Sequence, residues 1–149
     1  MVEMRLRSLL ETDILQLKQL HEELFPVRYS DSFYSDAVKG KGINGKDLFS
    51  LVAITYENGV EIMAGFVLAQ FFPFNSDNSD GLFDIGYRPK EVFYILTLGV
   101  QRRYRRNGIA KLLVDRSIGF SRENKSCGAV SFCYYRMMAV NLILCHIPR

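Results

Sequence analysis

Apolar side chains recur every third or fourth position from Ile14 through Leu17, Leu20 and Leu24, which predicts an amphipathic helix running to Phe25. Thr12 stands where an N-cap is expected, and Asp13 falls in the first turn, where the helix dipole favours an acid. Pro26 stops the pattern because its ring cannot continue the ladder. Ser30-Asp31-Ser32 opens a second, shorter helix that carries Phe33, Tyr34, Ala37 and Val38. A third helix is expected from about Ile109 to Arg122, with Leu112, Leu113 and Ile118 as its core stripe.

Strands are expected between these helices. Met4 to Leu9 alternates, with Arg5 and Arg7 on one face and apolar side chains on the other. Phe49 to Tyr56 is β-branched and aromatic, and Asn58-Gly59 after it is a strong hairpin signal. Met63 to Phe72 is apolar almost throughout, the pattern of a central strand covered on both faces. Val92 to Val100 reads as another buried strand, and Ala129 to Tyr135 as a last one. Lys39 to Lys46 and Asn75 to Lys90 are polar and rich in turn formers, hence loops. The order β-α-α-β-β-β-α-β implies a mixed α/β sheet flanked by helices, in one domain over residues 1–149.

Composition narrows the class. With 48% hydrophobic and 23% charged residues, the chain is globular rather than disordered. A net charge of +3 suits a phosphate-bearing ligand but is far from a histone-like balance. Cys127, Cys133 and Cys145, odd in number and with no signal peptide, suggest reduced thiols in a cytoplasmic setting. No stretch is apolar enough to span a bilayer. His21 and His146 have no metal-binding spacing; His21 reads as a helix-face residue, and no metal is expected.

The chemistry is concentrated after the strand that ends in Gly99-Val100. A basic run from Gln101 follows, and Gly108 sits where the third helix begins. The first N–H groups of a helix lack internal partners and the dipole makes that end positive, so this is an anion site. Gly108 removes a side chain that would keep a pyrophosphate from the backbone, and Arg105, Arg106 and Lys111 add positive charge.

Arg105-x-x-Gly108-x-Ala110 matches the R/Q-x-x-G-x-G/A signature of GNAT acetyltransferases in the strand-to-helix position that family requires. Phe25-Pro26-Val27-Arg28-Tyr29 is similar to the F-P-[VI]-x-Y loop of N-terminal protein acetyltransferases of the NatE and NatF types. The segment Phe93 to Val100 resembles the NatF fourth strand. The resemblance runs from about Met4 to Val130 and implies the acyl-CoA N-acyltransferase fold, with acetyl-CoA as cosubstrate. It makes Tyr94 the catalytic tyrosine. Phe25, Val27 and Tyr29 would line a pocket for the substrate's first residue, typically Met, with Leu96 touching the peptide. Backbone groups of Leu98, Gly99 and Val100 would hold the pantetheine arm. Arg105, Arg106, Asn107, Gly108, Ile109, Ala110 and Lys111 would hold the pyrophosphate. Protein N-termini, membrane proteins' among them, would be the partners. NatF-type enzymes work on the cytosolic face of the Golgi in animals, and plant relatives at the plasma membrane.

Past Val130 the chain departs from that pattern. The family's strand-five histidine falls on Cys133, and the expected fourth helix and closing hairpin are missing from residues 131–149, as in a truncated or alternative product. Impaired activity is the expectation on that ground. Two other readings stand beside N-terminal acetylation: a lysine or small-amine acetyltransferase on the same scaffold, and a non-catalytic CoA-binding fragment. A nucleic-acid module is disfavoured, since the basic run is short and has no interleaved aromatic besides Tyr104.

Overall fold

The computed structural model describes residues 3–73, 91–124, 127–132 and 144–145. One six-stranded sheet runs in the order β1 (Arg5–Arg7), β2 (Phe49–Glu57), β3 (Val60–Pro73), β4 (Glu91–Val100), β5 (Cys127–Phe132) and β6 (Leu144–Cys145). Every neighbouring pair is antiparallel except β4 and β5. That parallel pair is joined through helix α3 (Ile109–Glu123), as a parallel connection requires. Helices α1 (Ile14–Leu24) and α2 (Asp31–Val38) cover the opposite face.

The buried side chains fall into two layers, one on each face. Leu17, Leu20, Leu24 and Tyr34 meet Val52, Ile54, Phe66 and Leu68 on the α1/α2 side. Ile109 and Leu113 meet Ala53, Val67, Phe93 and Ile95 on the α3 side. Strand β3 therefore buries both of its faces, the reason its sequence is apolar without alternation. Asn58 and Gly59 turn the β2–β3 hairpin with φ of 50° and 77°, the left-handed pair that a tight hairpin demands.

Several local expectations are corrected. Thr12 does not cap α1: residues Glu11–Asp13 form a 3-10 turn, and the Asp13 carboxylate accepts from Leu10 N at 2.7 Å. Asp13 is buried and holds the Arg7 guanidinium by two bonds of 2.6 and 2.9 Å, while Arg7 also reaches Glu61 at 2.9 Å. Its acidity thus clamps β1 to α1 and β3 rather than merely facing a dipole.

Leu112 is exposed; the buried stripe of α3 is Ile109, Leu113, Ser117 and Ser121, with Val114 beside it. The two serines satisfy their hydroxyls on the Leu113 and Ile118 carbonyls, which lets small polar residues lie against the sheet. His21, read as a helix-face residue, lies on the buried face of α1 and is fully buried. β1 is limited to Arg5–Arg7, because Leu9 N already turns to the Ser50 hydroxyl at 3.1 Å. β6, which the sequence pattern does not announce, pairs with β5 through two residues. The loop expected at Asn75 to Lys90 and the tail around Cys133 lie outside the described residues.

Candidate active site

The centre of the site is β4, and its geometry is set by one extra residue. Leu68 pairs with Thr97 and Ala69 with Ile95, so Leu96 bulges out of the ladder. A bulge reverses which face the following side chains take. Phe93 and Ile95 accordingly pack towards α3, whereas Thr97 meets His21 of α1. Leu96 packs against the α1/α2 layer, while Leu98 and Val100 return to the α3 layer. Tyr94 stands opposite Gln70, half-buried, with its ring edge-to-face with Phe72 at 5.9 Å.

On its other side β4 pairs with β5 from Glu91 to Ile95. From Leu96 onward its pairing among the described residues is with β3 alone. Beyond Ile95, therefore, the β4 backbone next to Tyr94 is displaced by the bulge. Gly99 follows the bulge, and its lack of a side chain has a packing cause. A Cβ there would sit 2.7 Å from Leu24 Cδ1 and 2.8 Å from the Phe66 ring.

After Val100 the chain makes a 3-10 turn, Arg102–Tyr104, and then a loop that opens α3. Arg106 has φ of 65° and Gly108 of 76°; a left-handed non-glycine residue is uncommon and marks a loop of defined shape. Arg105 Nε donates to Val100 O at 3.2 Å, and Asn107 Nδ2 donates to the Tyr104 and Arg105 carbonyls. The first bond of α3 runs from Leu112 N to Gly108 O. By helical geometry the N–H groups of Ile109, Ala110 and Lys111 precede it without a helix partner. A Cβ at Gly108 would meet no atom beyond its chain neighbours within 4 Å, so the space at that position is open.

The basic side chains divide their duties. Arg106 is exposed, Arg105 braces the loop, and Lys111 pairs with Asp115 at 2.6 Å on the surface of α3. Ile109 is buried in the core, so only its backbone can face an anion.

The other expected residues gather at the α1–α2 connection. Phe25 ends α1 in an extended conformation, as a residue before proline must, and Pro26 follows. Ser30 caps α2 by accepting from Phe33 N at 3.3 Å. Phe25 and Tyr29 are half-buried and Val27 is exposed, which gives this connection an apolar rim. Its floor is His21. The imidazole is surrounded by Phe25, Tyr29, Phe33, Tyr34 and Phe66, with centroids 4.7–6.2 Å away. Burial lowers its pKa to about 4, so the ring is neutral at ordinary pH. Nε2 lies 3.2 Å from Thr97 Oγ1, and Nδ1 has no hydrogen-bond partner among the described residues. His21 thereby links the connection to the bulged part of β4.

Sequence reasoning missed this link, although a signal existed. Positions 17, 20, 21 and 24 complete the i, i+3, i+4, i+7 spacing of a buried stripe, with histidine among leucines. Among the described residues no cluster of His, Cys, Asp and Glu is placed to hold a metal, and no helix is long and apolar enough to cross a membrane.

A bulged fourth strand, followed by a left-handed basic loop and a helix N-terminus, is the arrangement expected of an acyl-CoA N-acyltransferase fold. The chain belongs to the acetyltransferase (GNAT) family, whose sequence model matches residues 14–143. It is 30% identical over 140 residues to the histone acetyltransferase MCC1 of Arabidopsis thaliana, covering 91% of this chain and 53% of that protein. N-alpha-acetyltransferase 60 of Danio rerio is 34% identical over 113 residues, with 76% and 44% covered. The chain thus spans about half the length of the curated relatives it matches. The crystal structure of Arabidopsis thaliana NAA60 with a bisubstrate analogue superposes with a TM-score of 0.71 at 31% identity, covering 86% of this chain and 72% of that one. The same plant enzyme in complex with acetyl-CoA gives 0.69 at 30% identity, with 86% and 73% covered.

Proposed function

We propose that this chain transfers the acetyl group of acetyl-CoA to the N-terminal α-amine of proteins, with Met-first substrates preferred. The observation that carries the reading is the loop Arg105–Gly108. Its two left-handed residues, Arg106 and Gly108, shape the approach to the N-terminus of α3, and the space at the Gly108 Cβ position is open. Arg105 to Lys111 hold the pyrophosphate, chiefly through backbone N–H groups and the exposed Arg106. Leu98, Gly99 and Val100 offer backbone groups to the pantetheine arm.

Bound acetyl-CoA supplies an activated thioester. The chain's own residues then orient the amine and manage its proton. Phe25, Val27 and Tyr29 enclose the first side chain, and Leu96 borders the peptide. An α-amine has a pKa of about 7.7–8, so a useful fraction is neutral near pH 7 and a modest base suffices. Tyr94 is the group placed to handle that proton, directly or through water. When the amine nitrogen bonds to the acetyl carbon, the carbon–sulfur bond breaks and the departing thiolate takes a proton. Backbone N–H groups near the Leu96 bulge can stabilise the oxyanion formed on the way.

Resemblance to NatF-type enzymes extends the reading to the cytosolic face of the Golgi or another membrane, with N-termini of membrane proteins among the substrates. The decisive assay uses two versions of one Met-first peptide containing a lysine, one with a free and one with a blocked α-amine. Acetylation of the free peptide at its α-nitrogen is expected. Equal or faster modification of lysine in the blocked peptide would transfer the chain to the lysine acetyltransferases, and CoA binding without turnover would leave a non-catalytic CoA-binding domain.

A further inference from the structure

The 3-10 turn that launches the anion-binding loop is tied to a distant part of the sheet. Tyr104 donates its hydroxyl to the carboxylate of Glu57, the last residue of β2, in a short hydrogen bond. Arg103 donates to the other oxygen of that carboxylate at 2.9 Å, and its guanidinium lies over the Tyr104 ring, 4.8 Å from the centroid. Tyr104 lies in the α3-side core with Ile109 and Leu113, whereas Glu57 is 40% exposed beside the hairpin turn. The Tyr104 hydroxyl, followed by Arg103, keeps the Glu57 carboxyl below its ordinary range.

Burial of the ring already secures Tyr104 in the core, so the hydroxyl bond is not needed to keep the residue inside. What the bond adds is direction. It fixes where the turn Arg102–Tyr104 ends. The loop is built on that end, since Asn107 reaches back to the Tyr104 and Arg105 carbonyls.

We propose that Glu57 is a positioning residue for CoA, which holds the Arg105–Gly108 loop in its anion-binding shape through Tyr104 and Arg103. This rests on the reading that the loop binds the CoA pyrophosphate. The opposite role for Glu57 predicts the opposite sign. If Glu57 merely occupied Arg103, its removal would free a cation beside the phosphates and tighten binding.

The test measures CoA binding to the full chain by calorimetry, together with KM for acetyl-CoA and for a Met-first peptide. Glu57→Gln and Tyr104→Phe each preserve shape while removing the charge or the donor. Each should weaken CoA binding about ten-fold, the scale of one hydrogen bond to a charged group. KM for acetyl-CoA should rise in step, with peptide KM and the thermal midpoint little changed. The double variant should be no weaker than the worse single one, because both act through one bond.

Glu61→Gln is the control. Glu61 lies on the same hairpin and holds Arg5, Arg7 and Tyr56 without touching the loop, so its replacement should leave CoA affinity unchanged. Unchanged or tighter CoA binding in Glu57→Gln, with wild-type binding intact, overturns the positioning role alone. So does an equal rise in both KM values. A wild-type chain that binds no CoA overturns the underlying reading as well.

Discussion

At the scale of single residues, two side chains carry opposite lessons. Tyr94 was singled out by a motif, a tyrosine five residues before Gly99 in an apolar strand, and that strand forms over Glu91–Val100. If it handles the proton of the amine, Tyr94→Phe should lower kcat by about 10²–10⁴-fold with little change in peptide KM. Steady-state kinetics with the Met-first peptide check this, and a rise in peptide KM with kcat unchanged would assign Tyr94 to binding.

His21 was not legible as a linker. Its helical spacing could announce burial, but the aromatic residues around it come from the α1–α2 connection, α2 and β3, which only the folded chain brings together. Its consequence is a pH dependence of stability. The folded imidazole has a pKa of about 4 against 6.5 for the unfolded one, so the unfolded state binds the extra proton first. Stability is therefore fully present above about pH 6.5 and falls as pH drops towards 4. The loss from this one group reaches roughly 3 kcal/mol. Denaturant titrations across that window should show it. The difference between wild type and His21→Phe isolates the term from Glu57 and Glu61, whose pKa values are also lowered. Parallel profiles for the two proteins would contradict the assignment.

At the scale of elements, strands and helices were readable where periodicity and turn chemistry agreed, as at Asn58-Gly59 and in the apolar run of β3. They were obscured where small polar residues lie against the sheet. Ser117 and Ser121 are buried only because each hydroxyl bonds a carbonyl of its own helix, and composition alone points instead to Leu112. The Leu96 bulge was likewise invisible, since register is a property of two strands and not of one. The connection between α1 and α2 was named from its motif, and its aromatic rim makes the functional reading concrete. Phe25→Ala or Tyr29→Ala should raise KM for Met-first peptides about ten-fold while leaving KM for acetyl-CoA near its wild-type value. An unresponsive peptide KM would make the connection structural and favour a small-amine substrate.

At the scale of the whole molecule, the fold amounts to two apolar layers on the faces of one sheet, with α3 entering after β4 through a left-handed basic loop. The class was legible because a single short segment, Arg105 to Ala110, combines conformational and electrostatic demands that few functions share. The left-handed turn at Arg106 and the inward tie from Tyr104 to Glu57 were not, because both depend on contacts with β2 and β4.

Everything proposed about activity depends on that segment holding CoA. Calorimetry of CoA against the wild-type chain and Gly108→Asp tests this most directly. The aspartate would force a side chain into a left-handed position and set a carboxylate against the pyrophosphate. Measurable binding by the wild type and a loss of about a hundred-fold or more in the variant are expected, the sum of strain and repulsion at one site. Equal CoA affinity for the two proteins, both folded by circular dichroism, would contradict the account at its centre.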